Sequence, residues 1–215
     1  MMGDDAISAP RITASAAQLR LRRGFAVACR RRLALSLTLG MALGLSTAGC
    51  GLNRASSRIA FMGDSITQGW TLPRVNLGVH GQTTGEMLAR FPAQVLGHGY
   101  TQVIILGGTN DVLLKIPAEV TVANLGRMVD LARQAGIEPT VCEIPPIFLT
   151  DRDYHTPVAE LNRRIVALAA NRKIKLVDYY DAIDHHPNYS SDGVHFKRRG
   201  YFAMERALLH VESPF

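Results

Sequence analysis

Apolar residues recur along the chain with two different periods. Short runs at 58–62, 102–106, 138–144 and 174–177 are dense in Val, Ile and Leu and bounded by Gly, Pro or polar residues, which predicts strands; 74–79 is a shorter, weaker candidate. Between them the apolar spacing changes to 3.6. Met87, Leu88, Phe91 and Val95 share one face of 84–96, where Pro92 is expected to shorten the helix. Leu125, Met128, Val129 and Ala132 do the same in 122–135, with Gly136 placed as a C-cap. Val158, Leu161, Ile165 and Leu168 mark 157–170, and 200–211 closes the pattern. Strands alternating with helices argue for an α/β fold. Its expected form is a three-layer α/β/α sandwich around a mainly parallel five-stranded sheet. In such sheets reactive groups sit in loops at the carboxyl ends of the strands.

The composition is that of a globular chain, with 47% hydrophobic and 20% charged residues among 215. The net charge of +6 suggests a nucleic-acid or membrane-surface partner until its distribution is examined. Residues 1–49 hold seven Arg against Asp4 and Asp5, whereas 50–215 hold 17 basic and 16 acidic side chains. The body is nearly neutral, so no nucleic-acid partner is expected.

The first fifty residues read as an address. Arg22, Arg23 and Arg30 to Arg32 precede an uncharged apolar run, 33–49, that ends in small residues before Cys50. A run of 17 is short for a membrane span and suits a signal-peptide core. Ser46-Thr47-Ala48-Gly49-Cys50 resembles the lipobox of bacterial lipoproteins, with Thr47 where Leu is usual. That resemblance implies lipidation of Cys50 and a membrane partner through an N-terminal anchor in a bacterial cell envelope. Cleavage after Ala48 with plain periplasmic or secreted release, and an uncleaved anchor, are the alternatives. The expected division is signal peptide 1–49, tether 50–57 and one folded domain 58–215. Cys142 is then the remaining thiol in an apolar segment, read as a buried small hydrophobe.

Four short clusters follow strand candidates or precede the last helix: Gly63-Asp64-Ser65-Ile66-Thr67, Gly78-Val79-His80-Gly81-Gln82-Thr83, Gly107-Gly108-Thr109-Asn110-Asp111 and Asp192-Gly193-Val194-His195. Each alone is ordinary turn chemistry. In this order they resemble the four blocks of the SGNH hydrolases, the branch of the GDSL esterase/lipase family named for Ser, Gly, Asn and His. The resemblance implies a flavodoxin-like sheet and a serine esterase. Ser65 is its nucleophile, His195 the base and Asp192 the residue that orients it. It also implies an oxyanion hole from the Ser65 and Gly81 amides and the Asn110 side chain. His80 stands where Ser or Ala is common in the family, and Phe196 where Pro often follows the histidine; both bear on the pocket rim. His80 and Trp70 are the candidate pocket residues. No metal or organic cofactor is implied, and the Asp181, Asp184, His185 and His186 cluster is read as a solvated loop. Short-acyl, aryl or acetyl-carbohydrate esters are the expected substrates. Acyl transfer on the same site, a lysophospholipase or thioesterase, and a non-catalytic binding lipoprotein remain alternatives.

Overall fold

The computed structural model describes residues 58–71 and 75–212. The leader, Cys50 and the tether lie outside them. Five strands form one parallel sheet: β1 (Ile59–Gly63), β2 (Val75–Gly78), β3 (Gln102–Leu106), β4 (Glu138–Cys142) and β5 (Lys175–Val177). Their order is β2-β1-β3-β4-β5, with Gly63 beside both Gly78 and Leu106. The chain first steps from β1 outward to β2, then returns across β1 to β3. Crossovers between parallel strands are right-handed, so these opposite steps place their connections on opposite faces.

One face carries α2 (Thr84–Val95), α4 (Ala118–Gln134) and α5 (His155–Arg172), which pack side by side. The other carries α1 (Ser65–Gln68), α6 (Tyr179–Ile183) and α7 (Arg198–Glu212), with a 3-10 turn at Pro187–Tyr189 between the last two. A short α3 (Thr109–Leu113) leaves the end of β3. The central strands are buried on both sides. Ala60, Met62, Val103 and Ile105 are fully enclosed, and Met87, Phe91, Leu125, Met128 and Ile165 close over them from the helices. Apart from Ala60, each such side chain contributes about 1.5–3 kcal/mol by leaving water.

Several boundaries differ from the sequence expectation for local reasons. Pro92 does not shorten α2, which runs to Val95; the Leu96 amide still reaches the Pro92 carbonyl at 3.2 Å. α5 begins at His155, so Pro157 falls in its first turn, where an amide donor is not needed. β4 stops at Cys142 because the Ile144 amide turns to the Asn162 side chain at 2.9 Å. The cluster after β5 is partly helical: Asp181 lies in α6, whose N-cap Asp178 accepts the Asp181 amide, and Asp184 caps its end.

Candidate active site

The switch point of the strand order, between β1 and β3, is where ligands bind in open parallel sheets. Ser65 leaves the end of β1 and Asn110 the end of β3. Asp64 is the N-cap of α1, its Oδ1 accepting the Ile66 amide at 2.9 Å, which makes Ser65 the first helical residue. That turn is braced from three sides. Asn76 of β2 donates to the Thr67 and Trp70 carbonyls at 2.7 and 2.9 Å, the Val79 amide reaches the Gly63 carbonyl at 3.1 Å, and the Tyr201 hydroxyl of α7 donates to the Ile66 carbonyl at 3.0 Å. Ser65 is thereby held with little freedom and is only 8% exposed.

His195 and Asp192 come from the loop that leads into α7. His195 Nε2 lies 2.9 Å from Ser65 Oγ, and its Nδ1 lies 2.7 Å from Asp192 Oδ2. Asp192 Oδ1 accepts the Val194 and His195 amides at 3.0 and 2.8 Å, so one carboxylate both shapes the loop and faces the ring. Desolvation acts to raise its pKa, but the His195 amide and ring, with the Val194 amide, outweigh it and hold Asp192 down at about 2. The loop is pinned from outside by the Phe148 amide, which donates to the Gly193 carbonyl at 2.7 Å.

Gly81 and Asn110 approach from the other two loops. Gly81 has φ +74°, a conformation that disfavours a side chain, and nothing lies within 4 Å of where its Cβ would be. Gly108 has φ +126°, and a Cβ there would meet Leu161 at 2.8 Å; this close turn starts α3 and sets Asn110 on it. Asn110 Nδ2 donates to the Gln82 carbonyl at 2.9 Å and faces Asp64 Oδ2 at 3.5 Å. Asp111 is turned inward, fully buried, accepting the Thr84 amide at 2.9 Å and the Thr121 hydroxyl at 3.0 Å. Those bonds tie α3 to α4 and to the start of α2, where Thr83 and Glu86 form a capping box.

The two candidate pocket residues part company. His80 is exposed and stacks beside His195, ring centroids 6.0 Å apart and planes 15° from parallel. Trp70 is not a rim residue. It is 4% exposed and sits among Phe61, Tyr179 and Tyr201 at 5.7, 6.1 and 6.2 Å, because the α1 turn folds it back over the sheet. Sequence reading also missed Asn76, Arg90 and Tyr201, whose supporting bonds span 6 to 135 positions and leave no local signature. Asp64 is fully buried, and burial pushes its carboxyl up to about 6, the Ile66 amide and His195 pulling against that and Asp111 adding to it.

Chemically, the arrangement joins a hydroxyl to an imidazole whose far nitrogen faces a carboxylate, beside a loop with an open glycine and a carboxamide. A family model described as GDSL-like Lipase/Acylhydrolase family matches residues 47–203. An arylesterase of Vibrio mimicus is 28% identical over 117 residues, covering 44% of this chain and 58% of that protein, so the match spans little more than half of the relative's length. A GDSL-like lipase of Bacteroides thetaiotaomicron has a similar structure, with a TM-score of 0.67 at 30% identity over 73% of this chain and 88% of that one. An acetylxylan esterase of Geobacillus stearothermophilus shares the fold at 19% identity, with a TM-score of 0.63 over 71% of this chain and 92% of that one.

Proposed function

The chain belongs to the GDSL-like lipase/acylhydrolase family, and on that premise we propose that it hydrolyses carboxylic esters through an acyl-Ser65 intermediate. The observation that carries this reading is the relay from Ser65 Oγ to His195 Nε2 at 2.9 Å and from His195 Nδ1 to Asp192 Oδ2 at 2.7 Å. His195 takes the Ser65 proton as Oγ attacks the ester carbonyl, and Asp192 stabilises the imidazolium that forms. The negative oxygen of the tetrahedral adduct is met by the amides of Ser65 and Gly81 and by Asn110 Nδ2, each such donor contributing about 2.7–4 kcal/mol. Collapse expels the alcohol, which takes the proton from His195. Water, activated by the same imidazole, then releases the acid and restores Ser65.

Short-acyl esters with aryl or acetylated-sugar leaving groups suit the site best. The connection beside it, 143–154, is joined to the His195 loop by the Phe148 amide on the Gly193 carbonyl, and it carries no helix or strand that could form a separate cover for long chains. The arylesterase relative supports the aryl option. The enzyme acts, on this reading, as an exported lipoprotein anchored to a bacterial envelope membrane through Cys50. Turnover of p-nitrophenyl esters from acetate to palmitate, run beside acetylated xylan, tests the assignment: rates should peak at two to four acyl carbons. A preference for palmitate would favour the lipase alternative. Acyl-sugar product in place of free acid would favour transfer.

A further inference from the structure

Arg90 lies on α2, outside the four loops that supply the reacting groups, yet its guanidinium reaches two of them. Nη2 donates to the Gly63 carbonyl at 2.8 Å, Nε donates to Gln82 Oε1, and Nη1 donates to Gln94 Oε1. Gly63 ends β1 immediately before Asp64 and Ser65, and its carbonyl also accepts the Val79 amide at 3.1 Å. Gln82 follows Gly81, and its carbonyl accepts Asn110 Nδ2 at 2.9 Å. One side chain therefore links the nucleophile turn to the loop whose backbone carries Gly81 and orients Asn110.

The need for such a link follows from the loop itself. Gly81 meets no neighbour within 4 Å of its Cβ position, and the Gln82 amide has only a long 3.4 Å bond back to Val79. The loop is held at its ends by the Val79 amide on Gly63 and by the Thr83 cap of α2, and between them the bonds to Gln82 are the ones nearest the Gly81 amide. A guanidinium suits this task because its planar fork presents donors in fixed directions to separate acceptors, whereas an ammonium is a single point. Arg90 is part-buried, and desolvation lowers its pKa below the usual arginine value, which is the cost of holding it there.

We propose that Arg90 is a positioning residue of the oxyanion hole, holding the Gly81 amide and Asn110 carboxamide in line with the Ser65 turn through Gln82 and Gly63. This rests on the ester-hydrolase reading. Donors aimed at an oxygen that becomes negative only during reaction act on kcat and barely on KM.

The test compares full-chain wild type with Arg90→Met, Arg90→Lys, Gln82→Ala, the Arg90→Met/Gln82→Ala double variant and Gln94→Ala. Hydrolysis of p-nitrophenyl acetate is expressed per serine titratable with a fluorophosphonate, which removes any misfolded fraction. Arg90→Met and Arg90→Lys should each lose about tenfold or more in kcat with KM within about threefold. The double variant should be no slower than Arg90→Met by more than about twofold, because both changes cut one path. Gln94→Ala, which touches only the third arm of the fork, should match wild type. If Arg90→Met does not fold, Arg90→Lys and Gln82→Ala carry the comparison. A kcat per titratable serine within twofold of wild type in the Arg90 variants, or losses that multiply in the double variant, overturns the positioning role alone. A wild type without turnover of any ester overturns the hydrolase reading together with it.

Discussion

Asp192→Asn isolates the electrostatic part of the relay. Asparagine keeps an oxygen to accept the Val194 and His195 amides, now 3.0 and 2.8 Å from Asp192 Oδ1, so the loop should keep its shape. Facing His195 Nδ1, however, it loses the charge that stabilises the imidazolium. With its one oxygen on those two amides, its nitrogen takes the place of Oδ2 and donates to Nδ1, so the tautomer inverts and a hydrogen is placed on Nε2, where Ser65 must be deprotonated. A carboxylate about 4 Å from the ring charge is worth between about 1 kcal/mol in bulk water and about 4 kcal/mol in a partly shielded site. The Asp192 side chain is 54% exposed and the His195 side chain 34%, so water screens the pair and the upper figure does not apply in full. Adding the tautomer penalty gives an expected loss of about 10²–10³ in kcat, below the roughly 10⁴ of a fully enclosed triad. Steady-state hydrolysis of p-nitrophenyl acetate measures it, with a thermal melt to show that the fold is unchanged. A kcat within tenfold of wild type, at an unchanged melting temperature, would refute the claim that Asp192 orients and charges the base.

Asp64 carries a pH prediction. Burial holds its carboxyl near 6 against an ordinary 3.8, so the folded state binds this proton more tightly than the unfolded chain. Its stabilising contribution is full below about pH 4 and is lost as pH rises through about 6, a change of about 3 kcal/mol. Asp64→Asn, which retains an acceptor for the Ile66 amide, should therefore gain on wild type between pH 4 and pH 7 in urea unfolding; a pH-independent difference contradicts the assignment. Asp111→Ala leaves the Thr84 amide and the Thr84 and Thr121 hydroxyls without their buried acceptor and should cost about 3–5 kcal/mol in the same measurement. A loss below about 1 kcal/mol would mean that water replaces the carboxylate. Cys50→Ser should leave the protein out of the membrane fraction after bacterial expression, and a variant that still pellets with membranes would exclude the lipid anchor.

What the sequence revealed and what it concealed divide along contact range. The strands and long helices were legible because burial on one or two faces writes a period into Val103 to Leu106 or Met87 to Val95. The candidate site residues stood out because they fall in glycine-marked clusters, three after strand ends and one before α7, and the fold brings Ser65, His195 and Asp192 within hydrogen-bond reach of one another. The short helices α1, α3 and α6 were read as turns, since four or five residues cannot establish a 3.6 period. Trp70, offered as a possible pocket residue, is enclosed instead, because the aromatic cluster with Tyr179 and Tyr201 forms only after α6 and α7 dock. Asn76 and Tyr201 act through side chain to backbone bonds, which place no demand on the sequence of the accepting residue, and Arg90 joins the Gly63 carbonyl to a glutamine eight positions away, a pairing with no recognisable pattern. Nothing local could have marked them.

The account's central claim is that Ser65 becomes transiently acylated. Mass spectrometry of the protein quenched during turnover of p-nitrophenyl acetate, and after a fluorophosphonate, reads this directly. One acetyl or phosphonyl group should appear on the peptide containing Ser65, should be absent in Ser65→Ala, and should form far more slowly in His195→Gln. An adduct on another residue, or continued hydrolysis by Ser65→Ala, would contradict it.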